Sequence, residues 1–215
     1  MQKIGFLGMG VMGLPMAKNV VQKCGLPVLG YDVVQQQMDA FREAGGIPVS
    51  DPAEIYKACD VILQILPTHP IIRNSVEQAI QYGKPGNVIV DLSSTAPDII
   101  LELYQQAKDA GMFLLDSPVS GGETGANGGT LVIMCGGEKE VFDEVRPYLL
   151  MMGKTATYMG PSGCGSTAKV ANNMMVGIHL CAMGEAFAFA KKAGLDPQTL
   201  FDAIKGGFAQ SAVMD

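Results

Sequence analysis

The chain has 215 residues, 48% of them hydrophobic and 17% charged, with 15 lysines and arginines against 21 aspartates and glutamates for a net charge of -6. That balance excludes a disordered segment, a collagen, a coiled coil and an acidic tail, and it predicts a packed globular protein of one large domain or two small ones. No basic run is present to neutralise phosphates, so DNA and RNA are not expected partners.

In chain order, short apolar runs at 4–7, 28–31, 61–66, 88–92, 112–115, 131–134 and 155–158 read as strands. Between them, 12–24, 52–58, 70–81, 97–110 and 139–151 have helical length, and several open with proline, whose missing N–H costs nothing in a first turn. Strand followed by helix, repeated, predicts a Rossmann-type, mostly parallel sheet domain over residues 1–162. After Gly160-Pro161-Ser162-Gly163 the strand signal stops. Residues 163–215 then read as an all-α domain, with a long helix from about 165 to 192 and a second over 197–205. The stretch 174–190, interrupted only by His179 and Glu185, is the most apolar in a chain of mean hydropathy +0.23. It falls short of the ~20 apolar residues of a bilayer span, and Glu185 is costly there, so a helix buried on nearly all sides is expected and a membrane is not. The helices after Gly163 cannot cover one another, which predicts a partner subunit (a dimer or larger homo-oligomer) or further chain. The amino terminus shows no signal-peptide pattern, so a cytoplasmic protein is expected.

Cys24, Cys59, Cys135, Cys164 and Cys181 lie far apart without a C-x-x-C pair and read as reduced thiols. His69 and His179 are too few for a histidine triad or a zinc site, so no metal is expected.

Gly8-Met9-Gly10-Val11-Met12-Gly13 fits G-x-G-x-x-G directly after the first strand and opens the first helix. The first glycine permits a tight turn, the second lets a pyrophosphate approach the backbone, and the third lets helix and strand pack closely, with the anion at the helix N-terminus. Asp32 ends the second strand at the ~20-residue spacing where an acid accepts from the adenosine ribose. The same carboxylate repels a 2′-phosphate, so NAD is expected over NADP. Leu66-Pro67 and the Asp91-Leu92-Ser93-Ser94-Thr95 segment follow later strands and either line the cofactor groove or merely end a strand and cap a helix. The run Ser117 to Ala126 reads as a glycine-rich loop whose N–H groups turn toward a carboxylate. Lys169 and Asn173, four residues apart, lie on one helical face. Lys169 is either a snorkelling surface residue or, buried in a cleft, a proton donor and acceptor with a lowered pKa.

Four blocks in order resemble the β-hydroxyacid dehydrogenases over the whole chain: the glycine fingerprint with Met16-Ala17-Lys18-Asn19, the Leu66-Pro67 pair, the Asp-Ser-Pro-Val-Ser-Gly-Gly run from Asp116, and the helix with Lys169 to Asn173. The resemblance implies that Lys169 is the catalytic acid/base and that Ser120, Gly121, Gly122 and Asn173 hold a small carboxylate-bearing aldehyde or hydroxy acid. It also implies that the early glycines hold NAD(P) and that Ser94 falls where the family often has a cofactor-contacting threonine. The segment 203–211 is most similar to that of family members that reduce tartronate semialdehyde to glycerate, with 3-hydroxyisobutyrate as the alternative substrate. A catalytically silent NAD-binding module is a further alternative, whose mark would be a lost lysine. Family members continue past residue 215, so the resemblance implies an incomplete helical domain.

Overall fold

The computed structural model describes residues 3–214. In chain order the elements are β1 (Ile4–Leu7), α1 (Gly13–Cys24), β2 (Val28–Tyr31), α2 (Gln35–Glu43), β3 (Ile47–Pro48), α3 (Pro52–Ala58), β4 (Val61–Gln64), α4 (His69–Tyr82), β5 (Val88–Asp91), α5 (Pro97–Asp109), β6 (Phe113–Asp116), β7 (Val119–Ser120), α6 (Gly122–Gly128), β8 (Leu131–Gly136), α7 (Lys139–Met152), β9 (Gly153–Gly160), α8 (Cys164–Lys192) and α9 (Pro197–Ile204). The sheet order is β3-β2-β1-β4-β5-β6-β8-β7, with β9 paired to β8. The run β3-β2-β1-β4-β5-β6 is parallel throughout, and β8 turns antiparallel to β6 and β7. The order reverses direction between β1 and β4, and crevices at such points, beyond the carboxyl ends of the strands, are where open α/β sheets bind ligands.

Continuous apolar runs formed the central strands because both faces of this sheet are covered. The two-residue period splits them cleanly. Ile4, Phe6, Val61, Leu63, Val88 and Val90 enter one core, whereas Leu7, Ile62 and Ile89 enter the other. Met16 and Val20 of α1 and Val145 and Leu149 of α7 close the first core. Tyr56 of α3, Ile72 and Val76 of α4 and Leu103 of α5 close the second.

The structure differs from the sequence expectation in several elements. Helix α2 and the two-residue strand β3 were not expected: α2 buries only Met38 and Phe41, too few to show a periodic stripe, and β3 is an edge ending in Pro48. The expected loop at 117–126 instead contains β7 and α6. Helix α6 forms despite three glycines in Gly-Glu-Thr-Gly-Ala-Asn-Gly because Gly125 and Ala126 are buried against the body of the domain, and packing overrides propensity.

The chain divides into two compact units between Lys169 and Val170, inside α8. The first carries the sheet. In the second, the expected burial of this helix on nearly all sides is not met within the single chain: between 174 and 190 only Ala190 is buried, while Met174, Met175, Ile178, Leu180 and Phe189 are exposed. By length and composition α8 is long and apolar enough to cross a membrane, with 6% of its most apolar window buried. The second unit holds little chain to cover so long a helix, which is the condition under which a partner subunit or further chain is expected. At 1.5 Å per residue the 29 residues of α8 extend about 43 Å, and the eight-residue α9 extends about 12 Å.

Candidate active site

The glycine turn between β1 and α1 is built from three positions with different duties. Gly8 has φ of 87°, a left-handed conformation, and a Cβ there would overlap the Ile65 carbonyl oxygen on the neighbouring strand end. A Cβ on Gly13 would overlap the Gly8 carbonyl oxygen, so that glycine is required for α1 to start where it does. At Gly10 an added Cβ meets nothing within 4 Å. Packing therefore explains the first and third glycines and leaves the second facing open space, where a ligand can approach the backbone. Helix α1 opens without a side-chain cap and without an acidic residue in its first turn, which leaves its positive end available to an anion.

Asp32 follows β2 directly and holds this turn in shape. Its carboxylate accepts the Met9 N–H at 2.6 Å through Oδ2 and the Val34 N–H at 2.8 Å through Oδ1. A cavity of about 650 Å³ opens here, walled by Gly8, Gly10, Val11, Met12 and Gly13, by Asp32, and by Leu66 and Pro67 beyond β4. Met9 belongs to the turn only through its backbone, since its side chain is buried in the core. Sequence reasoning missed the far wall, which comes from α3 and α4 through Tyr56, Ile71, Asn74 and Gln78. Nothing in the local sequence marks these residues, because the fold alone brings α3 and α4 to this crevice.

Behind the cavity lies a buried polar chain. The Tyr56 hydroxyl bonds Ser75 Oγ at 2.8 Å, Ser75 donates to Gln64 Oε1 at 2.7 Å, and Gln64 donates to Asp91 Oδ1 at 3.3 Å. Thr95 donates to Asp91 Oδ2 at 2.6 Å, and Ser93 Oγ accepts the Leu66 N–H at 2.9 Å. Burial raises the Asp91 pKa, against the pull of the hydrogen bonds from Ser93, Thr95 and Gln64, and burial pushes the Tyr56 hydroxyl up to about 12. These bonds speak against the capping reading of the 91–95 segment. The N-cap of α5 is Ala96, which makes no side-chain cap, so none of the three hydroxyls serves that helix. Ser93 and Thr95 are buried and committed to Leu66 and Asp91, and Ser94 is exposed and lies outside the cavity wall.

The second group of expected residues follows β6. The Ser117 hydroxyl is buried and paired with Cys135 Sγ at 2.9 Å, and burial pushes that thiol up to about 12. All five cysteines are free. Ser120 ends β7 half-buried, and Gly121 and Gly122 are exposed with φ of 135° and 60° at the start of α6. Lys169 is half-buried on α8 in the first unit, and desolvation lowers its pKa from the ordinary lysine value. Asn173, one helical turn further along α8, belongs to the second unit and is exposed. The structure thus assembles the glycine turn, Asp32, Leu66 and Pro67 around one cavity, and leaves Ser94, Ser120 to Gly122, Lys169 and Asn173 off its wall. Among the described residues no cluster of histidine, cysteine, aspartate and glutamate suits a metal ion.

Known proteins give this geometry a setting. Residues 3–160 match the family described as the NAD-binding domain of 6-phosphogluconate dehydrogenase, and residues 163–215 match that described as the NAD-binding of NADP-dependent 3-hydroxyisobutyrate dehydrogenase. The chain is 37% identical to 2-hydroxy-3-oxopropionate reductase of Escherichia coli K12, over 99% of its own length and 73% of that protein. It is 34% identical to 2-(hydroxymethyl)glutarate dehydrogenase of Eubacterium barkeri, over 99% and 71%. Among solved structures, 3-hydroxyisobutyrate dehydrogenase of Mycobacterium tuberculosis with L-serine superposes with a TM-score of 0.92 at 34% identity, over 99% of this chain and 73% of that one.

Proposed function

The chain belongs to the β-hydroxyacid dehydrogenase family and is an NAD(P)-dependent 3-hydroxy acid dehydrogenase acting on a small hydroxy acid or semialdehyde; on that premise we propose that it reduces tartronate semialdehyde (2-hydroxy-3-oxopropanoate) to glycerate, reversibly, with Lys169 as acid and base. The observation that carries the reading is a glycine turn open to a ligand at Gly10 in the same chain as a desolvated Lys169. The choice of substrate draws on the identity with the E. coli reductase and on residues 203–211.

The residues of the turn fit a dinucleotide. Gly8 to Gly13 and the uncapped start of α1 would hold its pyrophosphate, Asp32 its adenosine ribose, and Leu66, Pro67 and Ser94 would contact it beyond. When bound, the dinucleotide supplies or accepts the reducing equivalent, with NAD expected over NADP because Asp32 repels a 2′-phosphate. Lys169 donates a proton to the substrate's carbonyl oxygen as negative charge develops there, and takes it back in the reverse direction. Ser120 and Asn173 orient the substrate, and the N–H groups of Gly121 and Gly122 receive its carboxylate. In the cell we expect a cytoplasmic homo-oligomer.

The deciding experiment follows loss of NADH absorbance, with NADPH in parallel, for tartronate semialdehyde and for methylmalonate semialdehyde, with Lys169→Met beside the wild type. Fast oxidation with the first aldehyde and a 10² to 10⁴-fold loss of turnover in Lys169→Met at unchanged NADH affinity are expected. Preference for the second aldehyde moves the assignment to 3-hydroxyisobutyrate, a reading favoured by the M. tuberculosis structure. Inactivity with every pair favours a silent binding module. Reduction needs Lys169 protonated, so its kcat/KM falls as pH rises through a pKa that burial has brought below 10.5, and oxidation rises through the same value.

A further inference from the structure

We infer that Asp116 is a positioning residue that fastens the first turn of α8 to the end of β6 and so sets Lys169 in register with the Ser120 segment. The inference rests on the reading of Lys169 and Ser120 given above. Asp116 is completely buried. Its Oδ1 accepts the Gly163 N–H at 2.9 Å and its Oδ2 accepts the Ser166 N–H at 2.7 Å. Both donors belong to the start of α8, where N–H groups have no partner within the helix. Among the described residues no lysine or arginine forms a salt bridge with this carboxylate. Its charge is met by the helix N-terminus instead.

The contact is close on all sides. A Cβ on Gly165 would overlap the Asp116 carbonyl oxygen and lie 2.5 Å from the Met134 carbonyl oxygen. A Cβ on Gly136, which pairs with Asp116 across β6 and β8, would lie 2.5 Å from Asp116 Oδ1 and 2.8 Å from the Gly165 nitrogen. The first turn of α8 therefore lies directly on the ends of two strands. Burial opposes the charged form of Asp116 and raises its pKa, while the N–H groups of Ser166 and Gly163 hold it down. An apolar side chain would fill this space without that opposition, so packing alone does not account for a carboxylate. A two-point grip on a helix start does.

The placement gives the grip a purpose. From Asp116 the main chain runs through Ser117, Pro118 and Val119 to Ser120, while its side chain holds Ser166, three residues before Lys169. One residue thus ties two segments proposed to meet the substrate, and neither bond of the grip is made by a residue proposed to touch substrate or cofactor.

Asp116→Asn tests this in the full chain, because it keeps the shape and turns an N–H group against one of the two backbone donors. Turnover should fall by about 10- to 100-fold, the scale of a misplacement of about 1 Å, with NADH affinity within twofold. The second readout is the ¹³C resonance of reductively methylated Lys169, assigned by its loss in Lys169→Met, whose shift and titration midpoint should move in Asp116→Asn. Ser166→Pro removes one donor and leaves the carboxylate, at a first-turn position where proline is tolerated, and should move both readouts in the same direction by less; it stands in for Asp116→Asn if that variant does not fold. Unchanged turnover and an unchanged Lys169 resonance overturn the inference. So does a joint loss of NADH affinity, melting temperature and turnover, which marks a purely structural carboxylate. Full activity of Lys169→Met sinks the acid/base reading alone, since the resonance still reports whether Asp116 places the lysine.

Discussion

The two units of this chain answer the same demand in opposite ways. In the first, apolar residues on both faces of the sheet are covered within the chain, and strand after strand is buried to its last residue. In the second, α8 carries a long, largely apolar stretch and leaves Met174, Met175, Ile178 and Phe189 in the open. The difference teaches that apolarity along a segment states a need for burial and says nothing of what supplies it. A strand can be met by its neighbours in sequence, through crossover helices packed on the sheet. A helix of about 43 Å needs more surface than an eight-residue neighbour offers.

The contrast in closure should appear as a contrast in mutational cost, and the largest effect belongs to the closed side. Gly13→Val drives a side chain into the Gly8 carbonyl and Ile65, so the turn must move. We expect NADH affinity to fall by more than about 100-fold and melting temperature by about 5 °C or more, by the cost of overpacking. Gly10→Ala adds a methyl to open space, and there the expected result is an unchanged melting temperature with NADH binding weakened by about 10-fold. Calorimetry and fluorescence titration of the pair separate packing from ligand approach. Equal behaviour of the two glycines would remove the argument that the turn is open for a ligand.

How far the sequence disclosed this depends on the distance over which each signal acts. The strands and their order of appearance were legible because buried parallel strands read as unbroken apolar runs, and the glycine turn was legible because its three constraints fall within six residues. The α2 and α6 helices were not, since one buries only two residues and the other is glycine-rich and held by packing. The far wall of the cavity, from Tyr56 to Gln78, was invisible for a different reason: it belongs to the site only through the sheet order. Asp116 and Asp91 did leave a mark. Each ends an apolar run, Phe113-Leu114-Leu115-Asp116 and Val88-Ile89-Val90-Asp91, and the two stand in register on neighbouring strands. An acid at the end of a buried strand predicts a carboxylate that must find donors, although the donors themselves, from Thr95 to Ser166, are fixed by the fold.

An intermediate effect is expected at the rim of the cavity, where Asp32 has one side chain and two duties. Asp32→Arg removes the ribose acceptor and offers a cation to a 2′-phosphate, so the ratio of NADPH to NADH efficiency should rise about 10-fold or more, on the scale of one charged hydrogen bond. It also removes the acceptor for the Met9 and Val34 N–H groups, and affinity for both dinucleotides should fall with the turn loosened. Asp32→Asn, which retains one oxygen, should fall less. An unchanged cofactor ratio would place the discrimination elsewhere on the cavity wall.

For the chain by itself the smallest effect falls on the open side, whereas the homo-oligomer proposed above predicts a larger one. Ile178 is 64% exposed, and Ile178→Lys replaces an apolar contact with water by a solvated ammonium. If α8 stands in solution as it does in the single chain, stability should change by no more than about 0.5 kcal/mol, a shift of less than about 2 °C in melting temperature. Sedimentation would be unaltered. A larger loss accompanied by a smaller sedimentation coefficient would mean that a second copy buries this face, since a lysine desolvated at an interface is costly in a way a surface lysine is not. The two units would then differ only in where closure is found, within one chain for the sheet and between chains for the helix.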